Sequence, residues 1–89
     1  MKAFEIKVKG IVQGVGFRYF TKVEADKLNL SGTVENLSEG SVKIMAEGTE
    51  DQILKFLSWC HEGPKSATVD SLSYCECQLL GLDSFEILR

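Results

Sequence analysis

Apolar and polar positions alternate over FEIKVKG, residues 4–10, with Phe4, Ile6 and Val8 on one side and Glu5, Lys7 and Lys9 on the other. A period of two is that of a half-buried strand. The glycines of QGVG then interrupt it. From Phe17 the period lengthens: Phe17, Phe20, Thr21, Ala25 and Leu28 recur at helical spacing, which predicts one apolar stripe containing all five. Asn29 suits the left-handed position that follows such a helix. GTVEN reads as a second strand, LSEG as a turn in which Gly40 supplies a positive φ, and SVKIMAE as a third strand with Val42, Ile44 and Ala46 inward. Thr49, Glu50, Asp51 and Gln52 form a capping box with two acids in the first turn, and Ile53, Phe56, Leu57 and Cys60 follow at i, i+3, i+4, i+7. Gly63 and Pro64 stop this second helix. A further strand falls within ATVDSLSYCECQ, and FEIL predicts a short last one after a break at Gly81 and Asp83.

The order is β-α-β-β-α-β with a short extra strand at the end. Two helices and four longer strands each carry one apolar face, and two-layer packing buries both. The pattern therefore predicts an α+β, ferredoxin-like sandwich: an antiparallel, or mostly antiparallel, sheet covered by two helices on one face. At 89 residues, with one proline and no repeat or low-complexity tract, residues 1–89 are expected to form a single domain.

Composition narrows the function classes. The chain is 44% hydrophobic and 26% charged, ordinary for a globular protein. It lacks the apolar core of a secretory signal and any run of the ~20 apolar residues that a membrane span needs. A cytoplasmic location and no membrane partner are the expectation. A net charge of −3 argues against a general polyanion binder, so no nucleic acid is expected. Charge is uneven, however. No acid occurs between Glu5 and Glu24, while Lys7, Lys9, Arg18 and Lys22 all fall there, an arrangement suited to one small anion. Three cysteines, Cys60, Cys75 and Cys77, sit in no C-x-x-C pair, and His61 is the one histidine. A zinc site is not expected, and reduced thiols are. His61 belongs to the last turn of the second helix, where an imidazole is welcome.

A ferredoxin-like scaffold hosts many activities, so the site residues must decide. The third strand carries no aromatic for stacking bases, which counts against RNA binding. The first loop has no cysteine pair for metal transfer. A P-loop needs Gly-Lys-Ser/Thr after its glycines, and Phe-Arg-Tyr stands there instead. What the residues do offer is an anion site. Gly14 and Gly16 allow a tight turn whose amides face one point, and a helix start adds unpaired donors and a partial positive charge. Arg18 lies in that first turn, where a cation is disfavoured by about 0.3–1 kcal/mol and no acid is near in sequence. A bound anion relieves this; the alternative is a solvated arginine after a flexible turn. On spacing alone Asn36 reads as a turn asparagine, though the strand order can bring it towards Arg18. Tyr19 can line the rim.

GIVQGVGFR, then GTVENLSEGSVKIMAEG, GPKSATVD and a final FEIL closely resemble the acylphosphatase family, and the resemblance runs from Lys7 to Leu88. It implies hydrolysis of the carboxyl–phosphate bond of acyl phosphates with no cofactor and no metal. It also implies that the amides of Gln13, Gly14, Val15, Gly16 and Phe17, with Arg18, hold the phosphate, and that Asn36 positions the attacking water. The implied partner is a small-molecule acyl phosphate, and a monomer is expected. Asn29 stands where the family usually has glycine, and Glu39 at a turn position often held by another polar residue. Two rivals remain on the same scaffold: a non-catalytic phosphate- or anion-binding module, and a carbamoyl-phosphate-handling domain of the kind that opens larger hydrogenase-maturation proteins. With the sequence ending at Arg89, a stand-alone enzyme is expected rather than the latter.

Overall fold

The computed structural model describes residues 1–89. The elements run β1 (Lys2–Ile11), α1 (Phe17–Lys27), β2 (Ser31–Asn36), β3 (Val42–Gly48), α2 (Glu50–Glu62), β4 (Thr68–Cys77) and β5 (Phe85–Ile87). They build one sheet in the order β4-β1-β3-β2-β5. β1 pairs antiparallel with β3 and β4, and β2 antiparallel with β3, as the alternation predicts. β5 is the departure. It adds to the β2 edge in parallel, Gly32 opposite Phe85 and Val34 opposite Ile87, so the sheet is mixed.

Both helices pack on the face to which Ile6, Val8, Val34, Val42, Ile44 and Ala46 point, all of them buried. α1 contributes Phe17, Thr21 and Ala25, and α2 contributes Ile53, Phe56, Leu57 and Cys60. Phe85 closes the core against Phe56, ring centroids 6.1 Å apart, and Trp59 bridges Phe56 and Phe17. Thr49 caps α2 with the predicted reciprocal box: its own amide donates to Gln52 Oε1 at 2.7 Å, and the Gln52 amide to Thr49 Oγ1 at 3.2 Å. Asn29 is left-handed, φ 59°, directly after α1.

The predicted stripe of α1 needs one correction. Phe20 is 43% exposed rather than buried. The helix seats itself by Phe17, Thr21 and Ala25, spaced by four, and that narrow line leaves Phe20 on the flank. There its ring meets Tyr19 edge-on at 5.2 Å.

The strand order also imposes a crossing. β4 and β5 lie on opposite edges, yet Cys77 and Phe85 emerge at the same end of the sheet, beside Ala3 and Gly32. The connection must span that end. Glu47, at the end of β3 and only 3% exposed, anchors it: its carboxylate accepts from the amides of Leu80, Gly81 and Leu82. Burial opposes ionisation of Glu47, but the three amides outweigh it and hold the carboxyl below its ordinary pKa of 4.5.

Candidate active site

The other end of the sheet is where β1 runs out and where β2, turning into β3, ends at Asn36. Residues 12–16 leave β1 in an irregular turn before α1 begins. Gly14 and Gly16 have φ of 75° and 79°, the left-handed region that a side chain disfavours, and Gly16 stands directly before the helix with no side-chain cap. The turn is held from outside. Gln13 Nε2 donates to the carbonyls of Leu37 and Ser41 at 2.8 and 2.9 Å, and Ser66 Oγ donates to the Val15 carbonyl at 2.6 Å. Carbonyls and side chains being engaged outward, the amides of residues 13–19 donate to no acceptor in the protein. That is a run of unpaired N–H groups continuous with a helix start, an arrangement that favours an anion.

A cavity of about 220 Å³ opens over this turn. Gly14, Gly16, Phe17, Arg18, Tyr19 and Asn36 line it, together with Val12, Ile87 and Arg89. Arg18 and Asn36 are thus brought to one cavity, although they lie on different elements. Gly14, Gly16 and Phe17 reach it too. Gln13 and Val15 do not line it: the side chain of Gln13 faces the β2–β3 turn, and that of Val15 packs against the core.

Arg18 has no acidic partner. α1 carries no acid in its first turn, and Arg18 enters no ion pair. Its Nη1 donates to the Leu88 carbonyl at 3.3 Å, which steadies one arm of the fork and leaves most of its donors free. The other bases of the acid-free segment are elsewhere. Lys22 ties α1 to β5 through the Phe85 carbonyl at 2.7 Å and pairs with Asp26 at 3.3 Å, and Lys7 and Lys9 lie outside this cavity. Asn36 Oδ1 is buried and accepts no hydrogen bond from the protein. A buried acceptor without a donor costs about 1–3 kcal/mol, which a water O–H at that atom would recover. No carboxylate, imidazole or thiol lines the cavity, and no group of three or more His, Cys, Asp or Glu in the chain is arranged to hold a metal ion.

Three side-chain roles at this end are not read from the residues, although Gln13 is expected to contribute its amide and Glu39 to lie in a turn. Gln13 acts through its side chain as the tie between the two halves. Glu39 accepts from the hydroxyl and amide of Ser41, which hold its carboxyl below its ordinary pKa and brace the turn that Gln13 grips. Arg89, two residues past the end of β5, also lines the cavity. Tertiary structure brings Gln13 and Arg89 to their places, so no local signal could have found those two roles, whereas the contact of Glu39 with Ser41 is local to its turn.

Comparison with known proteins identifies the family. The family model for acylphosphatase matches residues 4–87. An acylphosphatase of Thermotoga petrophila is 47% identical over 87 residues, covering 98% of this chain and 97% of its own length. The crystal structure of acylphosphatase from Bacillus subtilis superposes with a TM-score of 0.97 at 41% identity, each chain fully covered. Full-length HypF, crystallised in a phosphate- and nucleotide-bound form, contains a similar region: TM-score 0.89 and 33% identity over 99% of this chain, but only 12% of HypF. On the family match over nearly its whole length, this chain belongs to the acylphosphatase family.

Proposed function

We infer that this chain hydrolyses the carboxyl–phosphate bond of small-molecule acyl phosphates, with the phosphate held by Arg18 and the amides of residues 13–17 and the water held by Asn36. The activity follows from family membership. The assignment of residues is supported by one observation above all: unpaired amides, an unpaired arginine and an orphaned buried amide oxygen line a single cavity.

The chemistry needs little more. Water oxygen attacks phosphorus, the bond from phosphorus to the acyl oxygen breaks, and the electron pair leaves with the carboxylate. A leaving group whose conjugate acid has a pKa near 4 requires no general acid. Phosphoryl transfer then asks for positioning and for charge stabilisation on the equatorial oxygens, which an arginine fork and fixed amides supply. Asn36 accepts one water O–H and so aims a lone pair, but an amide cannot take the proton. With no carboxylate, imidazole or thiol side chain in the cavity to accept it, the proton passes to an oxygen of the phosphate itself.

We read the chain as a cytoplasmic monomer acting alone. The chain spans nearly the whole length of the Thermotoga acylphosphatase, which is in keeping with a small enzyme of that kind, and no helix is long and apolar enough to cross a membrane. The deciding experiment is hydrolysis of benzoyl phosphate in excess chelator. Turnover that survives chelation and is lost in Arg18→Ala and Asn36→Ala supports the assignment. Binding of inorganic phosphate without turnover would instead mark a non-catalytic anion module.

A further inference from the structure

The parallel register of β5 on β2 continues past its paired residues. Val34 lies opposite Ile87, and the Leu88 amide donates to the Val34 carbonyl at 2.8 Å. Asn36 closes β2 two residues after Val34, and Arg89 lies two residues past Ile87, beyond the end of β5. Both line the cavity that holds Arg18. Arg89, like Arg18, pairs with no carboxylate.

Charge then has to be apportioned. The phosphate of an acyl phosphate is met by Arg18 and the amide run, and the water by Asn36. Those groups exhaust the demands of the reacting centre, and the second guanidinium is left over. Around it the lining is apolar or aromatic, Ile87, Tyr19 and Val12, with no other charged group for the acyl part to meet.

We propose that Arg89 is a specificity-determining residue, whose guanidinium pairs with a carboxylate carried on the acyl part, so that this chain prefers acyl phosphates of dicarboxylic acids over those of simple monocarboxylic ones. The proposal rests on the reading above that this site hydrolyses acyl phosphates. A guanidinium fork matches a carboxylate by two parallel N–H bonds, and at an exposed residue such as Arg89 a pair of this kind discriminates by up to about fivefold. The reaction itself is unchanged, because Arg89 touches neither phosphorus nor water.

The test uses benzoyl phosphate and its 3-carboxy and 4-carboxy derivatives. Wild type should show kcat/KM several-fold higher for at least one carboxylated substrate. Arg89→Gln should remove that preference, mainly through KM, while benzoyl phosphate turnover changes by less than about twofold. Arg89→Lys should keep part of it, and added salt should erode it. A parallel fall on all three substrates with weaker phosphate inhibition would make Arg89 a phosphate ligand and overturn the proposal. An unmoved preference would overturn it by making Arg89 a solvated side chain. If wild type turns over none of the three, the reading of the site fails, and the proposal fails with it.

Discussion

The side-chain amide of Gln13 donates to the Leu37 carbonyl at 2.8 Å, and its second bond, to Ser41, grips the other end of the same turn. One side chain so couples the glycine turn after β1 to the turn that follows Asn36. We expect Gln13→Ala to lower kcat by tenfold to a hundredfold, because displacements near 1 Å at a reacting centre have that effect. Gln13→Glu should be worse, since a carboxylate donates nothing and would face two carbonyls. Steady-state kinetics of the two variants, with circular dichroism to establish folding, checks both statements.

Arg18→Ala should lower the rate by 10²–10³ or more and weaken competitive inhibition by inorganic phosphate, as the loss of a charged donor at a developing anion does. Arg18→Lys should recover little of it. A lysine offers a point charge, and the fork that meets a phosphate edge is gone.

Asn36→Ala should separate binding from chemistry. Its kcat should fall on the order of 10²-fold while phosphate inhibition stays close to wild type, the signature of a contact made only on the path to the transition state. Asn36→Asp tests the proton route. If a carboxylate there raises the rate and introduces a new acid limb in the pH profile, proton transfer to the substrate's own phosphate is wrong for this enzyme.

Glu47 lies at the far end of the sheet, so its variants should affect stability and leave kcat alone. Its carboxyl titrates below its ordinary pKa of 4.5 in the folded chain. The sign follows: the stabilisation is fully present above the unfolded value and is lost as pH falls through the lower folded value. Glu47→Gln should cost roughly 1–3 kcal/mol near neutrality, with three amides less well met. That difference from wild type should shrink below about pH 4.3. Denaturant melts at pH 7 and pH 3 measure it.

The cysteines should differ in reactivity. Burial, with Glu24 adding to it, pushes the Cys60 thiol far up, whereas Cys75 is exposed on edge strand β4. A thiol reagent at neutral pH should label Cys75 rapidly and Cys60 only in denaturant. Rapid labelling of Cys60 in the native protein would mean that the α2 face of the core opens far more readily than its packing implies.

Much of this molecule was legible in one dimension. The alternation of Ile6 and Val8, the spacing of Ile53, Phe56, Leu57 and Cys60, and the box of Thr49 and Gln52 are local signals with local causes. The structure carries each of them unchanged. Arg18 was conspicuous for the same reason: a cation against a helix dipole with no acid in its own turn is an anomaly within a few residues. Phe20 misled because the stripe of a short helix is wider on paper than the line of contact it makes with a sheet.

By itself, then, the sequence determined the elements, the fold class and the anomaly of Arg18, a cation in a helix first turn with no acid near it, since these depend on neighbours within a turn or a strand. Only the tertiary structure decided what surrounds that arginine. The β5 strand joins β2 in parallel across an edge, Gln13 reaches a turn more than twenty positions away, and Glu47 holds a connection that exists because β4 and β5 lie on opposite edges. Hydrogen bonds of that kind are fixed by sheet order and register, and a one-dimensional period cannot carry either.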